Sequence, residues 1–431
     1  MPRHKAQVDS RQNRLAVLAP HKIRPHALQK RHFLFLQGPP GPFFHALATA
    51  LDAAGHGVSR INLNGGDQHD WPDTIGGRSA TCYRAPASRW PLFIDRYMRD
   101  HAITDLVLFG DCRPLHMVAH QMARLADIRV HVFEEGYIRP NWLTLERDGV
   151  NGHSRLPRDR SSMLAAAQGL PMPPDLPPIG ASLGRRTRDT WGYFSHMVLG
   201  AALLRYPFYR SHRPGSIALE GIGWVVKQAT RNRRQIQTKE TLRALEGQDF
   251  FLFPLQLSSD YQIRVHSPFS SMRQASDYVL ASFAAHAPQG MRLVIKEHPL
   301  DFSLFNWRSY VRDRARSLGL GDRLVHLAGG DLATLAQQSR GMVLVNSTSA
   351  TFGLASGVPV KALGTAIYAM EGITDQQPLG RFWGAPTPPD SATYDAFCRL
   401  LHHRCLVRGG LASQSAIAIL ISNAVERLLA G

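Results

Sequence analysis

The chain reads as an α/β protein of two Rossmann-like domains facing a central cleft. Three observations predict this. Buried-strand runs alternate with amphipathic helices, the alternation occurs twice on either side of a Pro- and Arg-rich stretch near 150–245, and nearly every expected strand ends in polar groups. At 431 residues the chain has the length of two ordinary domains, each with its own core. No repeat of fixed short period is present, which sets solenoids aside.

In the first half, HFLFLQG from His32 reads as a buried strand, PFFHALATALDAAG as an amphipathic helix stopped at Gly55, and VSRINLN as the next strand. TDLVLFGD, the helix PLHMVAHQMARLADI and the strand RVHVFEEG follow. Strands joined this closely through helices wind as parallel sheets with right-handed crossovers. The second half restarts with DFFLFPLQL from Asp249, then a helix through Ser276 to His286, MRLVIKEHP, RLVHLAG, the helix DLATLAQQS, GMVLVNSTSA and VPVKALG. The expected organisation is a flexible basic tail over 1–31, a first domain over 32–180, an interdomain helical and basic region over 181–245, a second domain over 246–385, and C-terminal helices over 386–431.

Lys and Arg number 50 against 33 Asp and Glu, a formal +17, which predicts an anionic partner without saying which kind. The basic residues are not interleaved with stacking aromatics, and no helix-turn-helix or OB pattern is present, so nucleic acid is disfavoured. Cys82, Cys112, Cys398 and Cys405 lack CxxC spacing, which argues against a zinc site or a disulfide framework and for a reducing compartment. No run reaches the ~20 apolar residues a spanning helix needs. The nearest, YFSHMVLGAALLRYPFY from Tyr193, is interrupted by His196 and Arg205 and flanked by Arg185, Arg186, Arg188, Arg210 and Arg213. It reads either as a buried helix between the domains or as a contact with an anionic membrane surface, the basic tail assisting.

In such sheets ligands bind beyond the carboxyl ends of the strands. The residues there are Gln37 and Gly38, Asn64 to Asp67, Gly110 and Asp111, Glu134 to Gly136, Gln256 to Asp260, Lys296 to Pro299, and Asn346 to Thr348. GPPGPFF is not a GxGxxG loop, so a dinucleotide is disfavoured. In NSTSATFG the hydroxyls either cap a helix or, with its free N–H groups, offer a phosphate site.

Taken in order, QGPPGPFF, NLNGGD, FGDCRPLH, FEEGYIRPNW, PLQLSSDYQI, IKEHP, VNSTSA and GVPVKALG resemble the capsule polysaccharide biosynthesis family of the KpsS/LipB type, from about residue 33 to about 385. The resemblance implies the glycosyltransferase B fold and a β-Kdo transferase that uses CMP-Kdo and a phosphatidylglycerol-derived lipid acceptor. The acidic-acidic-Gly and His-Pro motifs, here Glu134-Glu135-Gly136 and His298-Pro299, are also similar to those of bacterial CMP-sialic acid transferases. A sialyltransferase-like enzyme and a non-catalytic export component are the alternatives. The implied location is cytoplasmic and peripheral on the inner membrane. The partners would be a CMP-sugar, a lipid acceptor, an anionic membrane surface and other capsule assembly proteins, with no nucleic acid.

The chemistry such a transfer needs matches the residues. A carboxylate must handle the acceptor proton, and cations or N–H groups must hold the phosphate as charge builds on it. Glu134 and Glu135 fit the first role, Glu135 being preferred and the other positioning it or binding sugar, since adjacent strand residues point to opposite sides and only one would reach the reacting carbon. Lys296, His298, Pro299, Asn346, Ser347, Thr348 and Gln256 fit the nucleotide side; Gln37, Gly38, Asn64, Asp67, Asp111 and Arg139 fall on the acceptor side. The implied β-linkage from a β-donor means retention, which by double displacement needs a second carboxylate. Asp260 is the candidate, with Arg264 and His266 available for the sugar carboxylate. No carboxylate cluster has metal spacing, so neither a metal nor another cofactor is expected.

Overall fold

A computed structural model describes residues 30–211, 217–257 and 261–430. The basic tail falls outside these except for its end, where Arg31 is buried and pairs with Asp105. Arg31 thus belongs to the folded body, which runs as one compact unit from Arg31 to Gly431.

The first sheet is built on β1 (His32–Phe35), β2 (Gly57–Asn62), β3 (Thr81–Cys82), β4 (Asp105–Phe109) and β5 (Arg129–Glu135), all parallel. β6 (Trp142–Arg147) then turns back antiparallel to β5. Between these strands lie α1 (Phe43–Ala53), α2 (Gly65–His69), α3 (Trp90–Asp100) and α4 (Pro114–Leu125). The central strands are continuous apolar runs buried on both faces, as parallel strands covered by helices must be.

α5 (Arg160–Ala167) leads into three helices of the interdomain region, α6 (Leu183–Ala202), α7 (Ile217–Ala229) and α8 (Arg231–Leu245). The second sheet is wholly parallel, in the order β11-β10-β7-β8-β9. Its strands are β7 (Phe250–Pro254), β8 (Arg292–Lys296), β9 (Leu324–Leu327), β10 (Gly341–Leu344) and β11 (Val360–Ala362). α9 (Tyr261–Val265), α10 (Met272–His286), α11 (Trp307–Ser317), α12 (Leu332–Gln338) and α13 (Ala350–Leu354) connect them. One core cluster joins Tyr137, Leu156 and Met163 of the first half to Leu252, Leu344 and Val360 of the second.

The C-terminal stretch was expected to be helical only. After α14 (Leu379–Phe382) and α15 (Ser391–Leu400) it contributes β12 (Leu406–Arg408), which adds antiparallel to β6 at the edge of the first sheet. α16 (Gln414–Ala430) then packs on α1. The described residues thus return at their C-terminal end to the first sheet's domain.

Candidate active site

β5 ends in the two adjacent glutamates, and its antiparallel pairing sets Glu134 opposite Thr144 and Glu135 opposite Leu143. Successive strand residues face opposite sides, so the two carboxyls have different surroundings. Glu134 accepts the Glu135 N–H at 3.0 Å. Burial pushes its carboxyl up to about 7, with like charges on Glu135 and Asp111 raising it further against the pull of Arg113. Gly110, at the end of β4 with φ +73°, lies against it: a Cβ there would come 3.3 Å from Glu134 Oε2. Glu135 instead faces α6, where Arg186 lies 3.0 Å from its carboxylate. The sequence favoured Glu135 for proton transfer; the surroundings of the two carboxyls differ. Glu135 is held by a cation, whereas Glu134 can exchange a proton near neutrality.

The end of β8 gathers positive charge. Lys296 is buried, and burial pushes its ammonium pKa down. The N–H of Leu300 donates to His298 Nδ1 at 3.1 Å, which leaves the proton of the neutral ring on Nε2. Burial lowers the His298 pKa to about 4, and the cations Lys296, Arg139 and Lys227 lower it further against Asp301. Arg139 arrives from the β5–β6 connection, donating Nε–H to the Gly136 carbonyl at 3.2 Å. The sequence placed it on the acceptor side; in the structure its charge also reaches His298. Lys227 Nζ donates to the carbonyls of His298, Pro299 and Asp301 at 3.3, 2.8 and 3.2 Å, so Pro299 contributes through its backbone. Cations from both halves of the chain thus converge on one histidine, an arrangement suited to a phosphate.

The neighbouring strand ends are held together by their own side chains. Gln256 and Asn346 exchange hydrogen bonds between the ends of β7 and β10, at 2.8 and 3.0 Å. Ser347 Oγ accepts from the N–H and hydroxyl of Ser349, and Tyr368 donates to the Ser347 carbonyl at 2.6 Å. The Thr348 carbonyl accepts the Thr351 N–H at 3.1 Å. The helix they precede, α13, has five residues, too short for a strong helix dipole. The phosphate reading of NSTSA thus rests on the loop's N–H and hydroxyl groups.

A third cluster bridges the two halves. Asp111 accepts from the Val150 N–H at 3.1 Å and lies 3.0 Å from His153 Nδ1. Cys112 Sγ sits 3.3 Å from Nε2 of His266, whose ring meets that of His153 edge-on at 4.8 Å. Gly152 is needed here because a Cβ would fall 2.3 Å from His266 Nδ1. Cys112, His153 and His266 present ligand atoms within 4.8 Å of one another, a grouping of the kind that can hold a metal and that sequence spacing could not show. Arg158 completes the bridge by donating to the carbonyls of Ala366, at 2.6 Å, and Asn151, at 2.8 Å. His266 is buried in this interface, whereas Arg264 is exposed on α9. Asp260 lies outside the described residues.

The remaining acceptor-side residues serve structure in large part. Tyr193 of α6 receives Gln37 Nε2–H at 2.6 Å and Asn64 Nδ2–H at 3.0 Å, and donates to Asp67 at 3.0 Å. Asn64 also caps α2, while the fully buried Asp67 pairs with Arg60 at 3.3 Å. The glycines of NGGD let α6 approach: a Cβ on Gly65 would lie 2.2 Å from the His196 carbonyl oxygen. The cavity beside Gly38, Arg60, Asp67 and Asp70 measures about 10 Å³, room for no more than a water. Arg113, His153, Arg158, Tyr193 and Lys227 were not among the sequence candidates. Of these, only Arg113 carried a signal, standing just past the β4 strand end in FGDCRPLH.

Two sheets of mainly parallel strands, flanked by helices and carrying polar groups at their strand ends, define the class of two-sheet Rossmann-like α/β proteins. A family model described as "Capsule polysaccharide biosynthesis protein" matches residues 104–411. The chain belongs to this family. It is 35% identical over 380 residues to the capsule polysaccharide modification protein LipB of Neisseria meningitidis serogroup A, covering 86% of this chain and 89% of LipB. Identity to the capsule polysaccharide export protein KpsS of Escherichia coli is 31% over 376 residues, covering 86% and 94%. Among solved structures, a Thermosulfurimonas dismutans KpsC described as a beta Kdo 2,7 transferase is 14% identical with a TM-score of 0.44, covering 91% of this chain and 99% of that one.

Proposed function

We propose that this protein is a retaining glycosyltransferase that moves Kdo from CMP-Kdo to a phosphatidylglycerol-derived lipid during synthesis of a capsular polysaccharide linker. Two observations support the reading: Glu134 at the end of β5, whose carboxyl burial pushes up to about 7, and the cations gathered about His298 after β8. A base and a phosphate site are what group transfer from a CMP-sugar requires. Membership of the capsule family and the eight motif blocks support the choice of sugar and acceptor.

In the proposed mechanism Lys296, Arg139 and His298 Nε2–H hold the CMP phosphate, and no metal or other cofactor is assigned. The Asp260 carboxylate attacks the anomeric carbon, forming a carbon–oxygen bond as the bond to the phosphate breaks and CMP departs with the electron pair. The acceptor hydroxyl then attacks the same carbon, Glu134 takes its proton, and Asp260 leaves as carboxylate. Two inversions give net retention. Glu135, held by Arg186, positions the strand end. The enzyme would work at the cytoplasmic face of the inner membrane, where a soluble donor meets a lipid acceptor.

The test is incubation of the purified protein with CMP-Kdo or CMP-sialic acid and lysophosphatidylglycerol-type acceptors, read by mass spectrometry. Transfer of one Kdo unit, reduced at least ~100-fold in Asp260→Asn, is the expected result. Transfer from CMP-sialic acid alone would move the reading to a sialyltransferase. Absence of transfer from either donor, with CMP still bound, would favour a non-catalytic export role.

A further inference from the structure

α7 is folded with its amphipathic character reversed. Its protein-facing stripe is Glu220, Gly223 and Lys227, at the three- and four-residue spacing of one helix face. Gly223 lies directly on the loop after β8, where a Cβ would fall 1.8 Å from the Phe302 carbonyl oxygen, and Lys227 is tied to the carbonyls of that loop. The outward face carries Ile222, Trp224, Val225 and Val226, between 43% and 57% exposed. A surface helix in water normally turns such residues inward. On α6, Tyr193, Met197 and Gly200 face the protein, while Trp191, and Leu204 two residues past the helix end, are 72% and 74% exposed. Apolar surface of this extent marks a site that something covers.

The charge around it indicates what. Residues 181–245 hold twelve Arg and Lys against three acidic residues, and Arg188, Arg205 and Arg210 are exposed near the apolar positions of α6. The centre of a protein–protein interface is depleted of charge, whereas tryptophan and aliphatic side chains ringed by arginine suit the headgroup boundary of an anionic leaflet. Among the described residues no helix is long and apolar enough to cross a membrane, so the contact would be shallow.

We propose that the outward faces of α6 and α7 insert into the headgroup region of an anionic phospholipid leaflet and seat the cleft beside it. The sequence pointed to docking without insertion through five arginines. Arg186 instead engages Glu135, Arg185 lies 3.7 Å from Asp189, and Arg213 is outside the described residues. Insertion of apolar side chains takes over the larger share, and the remaining arginines select anionic lipid. Because Lys227 grips the loop that carries His298, the membrane-bound helix and the proposed phosphate site form one mechanical unit. The proposal deepens the lipid-acceptor reading and rests on it for its purpose.

The test uses the full chain with vesicles of phosphatidylcholine, alone or mixed with phosphatidylglycerol. Co-sedimentation should require phosphatidylglycerol and weaken with salt. Brominated lipids should quench tryptophan fluorescence, and Trp224→Ser with Trp191→Ser should remove most of that quenching. Combined Ile222→Ser, Val225→Ser and Val226→Ser should lower vesicle affinity at least ~10-fold with the melting temperature and CMP affinity unchanged. Absence of binding to phosphatidylglycerol vesicles, or affinity indifferent to the α7 substitutions, overturns the proposal. A dimer in gel filtration that these substitutions dissolve, without vesicle binding, overturns it in favour of a second copy on this face. Transfer to a short-chain acceptor dispersed in detergent is read in parallel. Transfer without vesicle binding removes the docking proposal alone, and vesicle binding without transfer upholds docking while removing the transferase reading.

Discussion

Arg186 of α6 lies 3.0 Å from the Glu135 carboxylate, so one of two adjacent strand-end glutamates is occupied by a helix that the sequence places outside both domains. The ion pair gives the two acids different surroundings. Glu134 is buried at the strand end with Glu135 and Asp111 nearby, and burial is the main reason that its pKa is raised.

If Glu134 is the base, the pH profile of transfer should rise along a limb with an apparent pKa near 7, since only the ionised form takes a proton. Glu134→Gln should abolish that limb and reduce transfer at least ~100-fold, whereas Glu135→Gln should keep it. A limb near 7 that survives Glu134→Gln would assign it to another group.

The same carboxyl has a linked effect on stability. Its folded pKa is raised, so the favourable contribution is full below pH about 4.5 and is lost as pH rises through about 7. Above that pH the ionised Glu134 is a burden, and Glu134→Gln should stabilise the fold at pH 8 by roughly 2 kcal/mol, with little effect at pH 4. Urea denaturation at the two pH values checks this.

CMP should bind the isolated protein in the presence of a chelator, because the proposed phosphate partners are two side-chain cations, Lys296 and Arg139, and the Nε2–H of neutral His298. Lys296→Ala, Arg139→Ala and His298→Ala should each weaken binding roughly 10-fold, the scale of one hydrogen bond to a charged group. Calorimetry that finds undiminished affinity in all three would remove the phosphate site from the end of β8.

Far from the cleft, Asp105 at the start of β4 is fully buried and receives Arg31, Arg129, His131 and Thr104. Burial alone would raise its pKa, but these partners outweigh burial and hold the carboxyl well below the usual carboxylate range. Asp105→Ala should cost about 3–5 kcal/mol by leaving buried cations unpaired. The contribution of Asp105 is present at neutral pH and lost as pH falls below the ordinary carboxylate range.

Gly65→Ala tests the clamp between α2 and α6. The added methyl would meet the His196 carbonyl at 2.2 Å, forcing α6 away at a cost of about 2 kcal/mol. Because α6 also carries Arg186, the variant should disturb Glu135 as well, visible as reduced transfer at temperatures where the fold persists.

The period of apolar residues was enough to locate the parallel strands from His32–Phe35 to Val360–Ala362 other than the two-residue β3, because burial on both faces demands uninterrupted apolar runs that local sequence displays, but it did not show β3 or the antiparallel β6. The same pattern placed Glu134, Lys296 and Asn346 at strand ends, and the order of motifs identified the family. What sequence could not reach were contacts between distant parts of the chain. The pairing of Leu406–Arg408 with β6, the grip of Tyr193 on Asp67 and the convergence of Arg139 with His298 each join residues whose proximity no local pattern encodes. The roles of Glu134 and Glu135 could not be divided from their own identities either. What surrounds a carboxyl is decided by the fold, which sets Arg186 beside Glu135 and buries Glu134, and burial is the main reason that the Glu134 pKa is raised. The reversed face of α7 shows the limit most plainly: its sequence states which residues are apolar, but only packing against the Phe302 loop decides that they point outward.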